Sequence, residues 1–286
     1  MTEKSFYGTP IPNINAASLR GRLIVVEGAD GSGRSTQASL LRDWLEESGY
    51  ATVEVGLKRS TLAGPELAVA MQGHTLSPLT FSLFYATDFA DQLEQDIVPA
   101  LRSDFIVLAD RYIYTLMARD LVRGANREWL QALYGIALVP DLVFYLKVSP
   151  QVLAERALRK QAMLDYWESG MDVGGGGDWY ESFIHYQRRI QKAFHDMSEA
   201  YAFHVVDGSR SPFQIAADVR RRVKTLLEER PRERKPAGDR KPAGEAKPPG
   251  ERRPASDHAS ASDHASASEA RPASKRKPAG ERKPRK

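Results

Sequence analysis

Short runs of branched and apolar residues recur along the first 230 residues, each followed by polar turn residues and then by apolar positions at helical spacing. Leu23 to Val26 is the first run, and Glu27-Gly28 follows at once, which predicts a buried strand opening into a glycine-rich turn. From Ser35 to Leu45, Leu41, Trp44 and Leu45 keep helical spacing, and Gly49 closes that helix. Thr52–Val55, Phe105–Ala109, Leu142–Leu146 and Phe203–Val206 read as four further strands. Leu79–Leu101, Trp129–Leu138 (stopped by Pro140), Pro150–Lys160, Tyr180–Tyr201 and Ile215–Leu227 read as helices. Strands alternating with helices at this spacing predict an α/β fold, a five-stranded parallel sheet with helices on both faces. Ligands on such sheets sit at the carboxyl ends of the strands, which points to Gly28–Thr36 and to Asp110-Arg111 together.

The alternation stops near Arg230. From Pro231 onward there is no Val, Ile, Leu, Phe, Tyr, Trp or Met, so this tail cannot bury a core and is expected to be disordered. The expected organisation is an N-terminal extension over residues 1–20, an α/β domain over 21–230 and a low-complexity tail over 231–286. The tail carries sixteen Lys and Arg against eight Asp and Glu, so the net charge of +4 belongs to it and the body is net acidic. That takes the body out of the class of strongly basic nucleic-acid-binding domains. The tail offers polyanions a charge partner, while its interspersed acids and lack of aromatics fit a plain solvated extension. With no cysteine, disulfides, thiolate catalysis and Cys-ligated zinc are excluded. The six histidines make no metal-ligand spacing. Met1 to Leu19 has no apolar signal core and no run reaches 18 apolar residues, so the expectation is a cytoplasmic protein with no membrane span.

Gly28-Ala29-Asp30-Gly31-Ser32-Gly33-Arg34-Ser35-Thr36 fits the phosphate-loop pattern G-x-x-x-x-G-K-[ST], with Arg34 at the lysine position. Glycines let main-chain amides curl around phosphates without Cβ clashes. The helix that follows aims its N-terminal dipole at the anion, and the Ser35 hydroxyl suits Mg²⁺ held against the β- and γ-phosphates. Arg34 keeps the positive charge but is planar and bulkier than a lysine. Two outcomes follow: Arg34 does the work of the lysine in altered geometry, or the site binds nucleotide with poor turnover. A carboxylate and an arginine at a strand end beside this loop, Asp110-Arg111, suit phosphoryl transfer, which is mostly positioning and charge neutralisation.

Glu27-Gly28-x-Asp30-Gly31-x-Gly33-x-Ser35-Thr36-Gln37, Leu83-Phe84-Tyr85-Ala86, Asp110-Arg111-Tyr112 and Pro140-Asp141-Leu142-x-x-Tyr145-Leu146 occur in this order. Together they resemble the thymidylate kinase family across roughly Leu23 to Thr225. The resemblance implies a P-loop NTPase fold and a homodimer that phosphorylates dTMP to dTDP with ATP and Mg²⁺. It implies that Asp30 contacts the acceptor sugar, Phe84 stacks on the base and Tyr112 lies on the acceptor side. It also implies that Asp110 organises Mg²⁺ and the attacking phosphate beside Ser35, and that Arg34 and Arg111 neutralise phosphoryl charge. Ser209-Arg210 would lie near the adenine.

Departures concentrate on the acceptor side. Asp88 stands where the family has an arginine for the acceptor phosphate, which predicts repulsion there. Gly56 to Ser60 replaces an Arg-Glu-Pro-Gly-Gly segment, Arg119 and Asp120 replace Tyr and Gln, and Tyr166 stands where Arg is frequent. Lys58, Arg59 and Arg119 are candidate replacements for the acceptor's anion partners. Arg156, Arg159 and Lys160 are candidate lid charges, and Gly174–Gly177 a candidate lid hinge. Two alternatives therefore stand beside dTMP kinase: a kinase of the same fold with another phosphorylated acceptor, and a nucleotide-binding regulatory protein with little turnover.

Overall fold

The computed structural model describes residues 4–73, 76–161, 163–174 and 177–228. The expected disorder of the tail, and Gly175-Gly176 at the centre of the expected hinge, lie outside them. Five parallel strands form one sheet in the order β2-β3-β1-β4-β5: β1 Arg22–Gly28, β2 Thr52–Gly56, β3 Ile106–Asp110, β4 Leu142–Lys147 and β5 His204–Asp207. Leu23 to Val26 of β1 are almost wholly buried, because the central strand is covered on both faces. This is why its sequence reads as a continuous apolar run with no alternation.

Helices α1 (Arg34–Glu47) and α9 (Pro212–Glu228) cover one face. Their Leu41, Leu45, Ile215 and Val219 pack with Ile24, Leu108 and Phe144 of the sheet. Helices α3 (Pro78–Gln92), α5 (Ile113–Val122) and α8 (Trp179–Ala200) cover the other with Phe89, Ile113, Met117 and Phe194. The strands β1 and β3 are neighbours, with Val26 opposite Asp110. Their following helices, α1 and α5, leave toward opposite faces. The crevice this opens at their carboxyl ends is where open α/β sheets bind ligands, and it is occupied by the glycine loop and Asp110-Arg111.

Four elements differ from the sequence expectation. The long helix is interrupted: α3 passes through a π-turn at Leu93–Ile97 into α4, Val98–Arg102. Pro99 has no amide to donate and its ring crowds the preceding turn, and the wider turn accommodates both. Helices α2 (Gly64–Gly73) and α5 were not anticipated. The expected helix over Trp129–Leu138 is shorter, α6 spanning Arg127–Leu133, because Leu138 instead bridges to Phe6 of the N-terminal segment. That segment is tied down further by an ion pair of Lys4 with Asp141 and a 2.5 Å hydroxyl contact of Tyr7 with Tyr114.

Asp88 overturns its expectation. It is fully buried on α3, and its carboxylate accepts the amides of Lys58 (2.7 Å) and Ser60 (3.0 Å) and Gln92 Nε2 (3.0 Å). A carboxylate satisfied by main-chain amides caps a loop and is turned away from any acceptor phosphate. It fixes the turn after β2, where Lys58 adopts a left-handed φ of 62°. Asp88→Ala strands these amides and is expected to destabilise the protein by about 1–3 kcal/mol for each, read from denaturant unfolding. Asp88→Asn, which keeps one acceptor oxygen, is expected to lose less, and equal losses in the two variants would refute the capping role.

Candidate active site at the phosphate loop

The loop from Gly28 to Gly33 needs its glycines, one for close approach and two for backbone conformation. A Cβ on Gly28 would lie 2.7 Å from Ser32 Oγ and 2.9 Å from the Leu146 carbonyl, and Gly31 and Gly33 have φ of 78° and 97°. Helix α1 starts at Arg34 with no side-chain cap from Gly33, so its first-turn amides face the loop. Ser32 Oγ is buried there without a hydrogen-bond partner. Ser35 and Thr36 stand exposed at the helix start.

Three guanidinium groups converge on Asp30. Arg34 Nη2 lies 3.2 Å from Oδ1, Arg119 Nη2 lies 3.2 Å from Oδ2, and Arg111 pairs with Oδ1. Arg34 also donates to Asp110 Oδ1 at 2.5 Å, and Ser35 Oγ donates to Asp110 Oδ2 at 2.6 Å. Burial would push the Asp30 carboxyl up, but Arg111, Arg119 and Arg34 together hold it well below the usual carboxylate range. Burial and the neighbouring Arg111 pull Arg34 down to about 10, against the attraction of Asp30 and Asp110. Arg111 takes a left-handed φ of 74°, costly for a non-glycine residue, and its amide donates to the Val26 carbonyl at 3.0 Å. Its Nε is buried without a partner.

Glu27, the last side chain of β1 before the loop, is fully buried. It accepts the amides of Tyr112 (2.9 Å) and Thr115 (3.2 Å) and meets Thr115 Oγ1 at 2.5 Å. Burial raises its carboxyl despite these bonds. Glu27 thereby fixes the start of α5 and the Arg111 turn against the phosphate loop.

Beyond Asp30, a narrow cavity is lined by Arg111, Thr115, Arg119, Trp167, Glu168 and Tyr186. A larger cleft of about 680 Å³ adjoins it and includes Lys58, Met71 and Trp179, with Trp167 lining both. Lys58 lines that larger cleft, and its ammonium is pulled down by burial and by Arg119 and Arg111. Among the sequence candidates, the structure thus brings together the loop, Asp30, Arg34, Ser35, Asp110, Arg111, Arg119 and Lys58.

Other candidates fall elsewhere. Tyr112 points into the core, 2 % exposed, with its hydroxyl donating to the Leu138 carbonyl at 3.0 Å and its ring edge-on to Phe89, so it does not reach the cavity beside Asp30. Phe84 is half-buried against the main core and lines neither cavity. Its helix turns Phe81 toward Trp167 instead, stacked on that ring at 4.9 Å, with Tyr85 edge-on to Phe81. Arg59 is half-exposed 3.9 Å from Glu54, and Arg159 is exposed beside Glu155. Arg156 reaches the loop, donating to the carbonyls of Gly31 (3.0 Å) and Gly208 (3.2 Å). Gly208 packs close to the Ser32 carbonyl, which sets Ser209-Arg210 beside the phosphate loop, with Arg210 paired to Asp218 at 2.7 Å. Glu168, Trp167 and Tyr186 were not singled out from sequence as site residues. The only signal for Trp167 and Glu168 was the position of Leu164–Glu168 just before the glycine run, and Tyr186 lay inside the expected helix Tyr180–Tyr201.

Burial and the facing Asp30 carboxylate push Glu168 up to about 8. Unfolded, Glu168 releases its proton near 4.5; folded, it keeps it until about 8. The native state therefore binds the extra proton between these values, so this contribution to stability is complete below about pH 4.5 and is lost as pH rises through about 8. Glu168→Gln is expected to remove that part of the decline in Tm across this window. A variant profile parallel to that of the unmodified protein would show that the pair holds no such proton.

Among the described residues, no helix is long and apolar enough to cross a membrane. A family model described as Thymidylate kinase matches residues 26–219. The "Probable thymidylate kinase 2" of Saccharolobus solfataricus is 37% identical over 206 residues, which is 71% of this chain and 95% of that protein. The "Thymidylate kinase" of Clavibacter michiganensis is 32% identical over 219 residues, 73% of this chain and 97% of that protein. That of Brachyspira hyodysenteriae is 26% identical over 207 residues, 72% and 95% of the two chains. The matched span runs from the end of β1 to α9 and contains the whole glycine loop and its ion cluster. This chain belongs to the thymidylate kinase family.

Proposed function

We propose that the chain transfers the γ-phosphate of ATP to dTMP, giving dTDP and ADP. The observation that carries this reading is the glycine cradle at the start of α1 with Arg34, Arg111 and Arg119 gathered beside it around Asp30. The cradle suits the β- and γ-phosphates of the donor, which main-chain amides of the loop and of the start of α1 would bind. Arg156 and the Gly208–Arg210 turn flank the loop on the adenine side. Arg111, Arg119 and Lys58 suit the acceptor's phosphate, and Asp30 and a protonated Glu168 suit its sugar hydroxyl.

Ser35 Oγ and Asp110 Oδ2, a hydroxyl and a carboxylate 2.6 Å apart, are the hard oxygen donors that fit Mg²⁺. Held there, Mg²⁺ would supply positive charge against the phosphoryl oxygens. In the transfer, an oxygen of the acceptor phosphate forms the new bond to Pγ as the bond from Pγ to the bridging β,γ-oxygen breaks, and ADP leaves with that electron pair. The residues of the chain hold the two phosphates in line and neutralise charge. Arg34 exchanges its carboxylate partners for phosphoryl oxygens on the donor. The homodimer that the family resemblance implies, the cytoplasmic location and the division into extension 1–20, domain 21–230 and tail 231–286 belong to this reading as well.

Incubating the full chain with Mg-ATP and a panel of nucleoside monophosphates, and following ADP, tests the assignment. Turnover is expected with dTMP. Turnover confined to another acceptor, or ATP binding without turnover on any, would replace this reading with one of its two alternatives. Arg34→Ala is expected to lower kcat by about 10²–10³-fold, the scale for removing one charge-stabilising donor, while Arg34→Lys retains measurable turnover. Unchanged kcat in Arg34→Ala would take that residue out of the reaction.

A further inference from the structure

Arg123 follows the last turn of α5, outside the phosphate loop and outside both cavities. Its side chain is only 6 % exposed and its donors are spread over three parts of the chain. Nε and Nη2 fork onto Asp172 at 2.6 and 3.2 Å, in the turn Met171–Val173 between α7 (Pro150–Gln161) and α8. Nη1 donates to Tyr186 Oη at 2.8 Å, on α8, and to the Arg119 carbonyl at 3.2 Å, on α5. The guanidinium also lies over two rings, 5.8 Å from the centroid of Trp167 and 5.4 Å from that of Tyr186.

Trp167, Tyr186 and Arg119 all line the narrow cavity beside Asp30. Trp167 also stacks on Phe81, and its Nε1 donates to the Met71 carbonyl at 3.1 Å. The same segment docks on α8: Gln187 Nε2 donates to the Glu168 carbonyl at 2.9 Å, and Gly170 lies so close to the Tyr186 ring that a Cβ would come within 2.5 Å of it. The Trp167–Glu168 wall therefore has supports on α2, α3 and α8, and Arg123 is its support on α5. An arginine fork onto a carboxylate fixes orientation as well as charge.

We propose that Arg123 is a positioning residue for the acceptor: it holds the Trp167–Glu168 wall at its height over Asp30. A lysine there keeps the charge but loses the planar fork and its stacking. The wall then rises from the cavity while the phosphate loop, which Arg123 does not touch, keeps its geometry. The proposal rests on the reading above that the acceptor binds on the Asp30, Arg119 and Glu168 side.

The test uses the full chain carrying Arg123→Lys, with Asp172→Asn as a second variant that weakens the same fork from its other end. In steady-state assays the KM for dTMP is expected to rise about tenfold or more, a scale set by misplacement of groups around a substrate, while the KM for ATP stays within about twofold. In the ligand-free protein, acrylamide quenching of the Trp167 fluorescence, obtained by difference from Trp167→Phe, is expected to increase in both variants. Unchanged quenching, or KM values for dTMP and ATP that rise together, overturns the proposal, including where the variants have simply lost stability. An unmodified protein that turns over no dTMP refutes the acceptor reading instead, and the quenching measurement then still decides whether Arg123 holds the wall.

Discussion

The convergence of Arg34, Arg111 and Arg119 on one carboxylate sets the terms for the rest of the site. Guanidinium groups do not deprotonate to relieve crowding. Two unit charges about 4 Å apart repel by about 4 kcal/mol at an effective dielectric near 20. Arg111 and burial together already pull Arg34 down to about 10. Asp30, placed by the backbone of a glycine loop, offsets that repulsion and is itself held ionised by it. Losing Asp30 would leave three cations facing each other; losing one arginine would leave a buried carboxylate with less compensation.

Two other buried acids hold the frame around this cluster, and neither needs a cation to do it. Glu27 accepts two amides and meets a hydroxyl at the start of α5, and Asp88 accepts two amides in the turn after β2. Both use the same physics, a carboxylate satisfied by main-chain donors in a dry environment. Glu27 fixes where Arg111 emerges and Asp88 fixes where Lys58 emerges, so two of the cations of the candidate site are positioned by buried anions. The left-handed backbones of both Arg111 and Lys58 sit next to these anchors, which is where strained geometry can be held.

The sheet was legible because β1, β3 and β4 are covered on both faces and so write themselves as uninterrupted apolar runs. The loop was legible because a phosphate cradle needs glycines at fixed spacing. Helix α5 was not, because the residues after Asp110-Arg111-Tyr112 read as part of a site rather than as an element, although Ile113, Leu116 and Met117 carry helical spacing. The acceptor side was legible only in its charges. Phe81, Phe84, Tyr85 and Phe89 lie so close on one helix that periodicity alone does not say which ring meets Trp167, and the structure selects Phe81. Asp88 showed a charge but not its partners, which come from a loop about 30 residues away. The facing of Asp30 and Glu168 depends on two segments far apart in the chain, and no local pattern encodes it.

The arginine at the phosphate-loop lysine position also follows from this charge geometry. A lysine ammonium is a compact charge that serves one partner direction well, whereas a guanidinium presents a fork with separate donors. Arg34 uses that fork to reach Asp110 with Nη1 and Asp30 with Nη2, linking the end of β3 to the middle of the loop. Ser35, the next residue, reaches the other oxygen of Asp110. Consecutive residues at the start of α1 thus hold both oxygens of one carboxylate, so the strand end, the loop and the helix start are cross-linked before any phosphate arrives. In a loop with three glycines, where the backbone has most freedom to lose, that cross-link limits how far the cradle spreads.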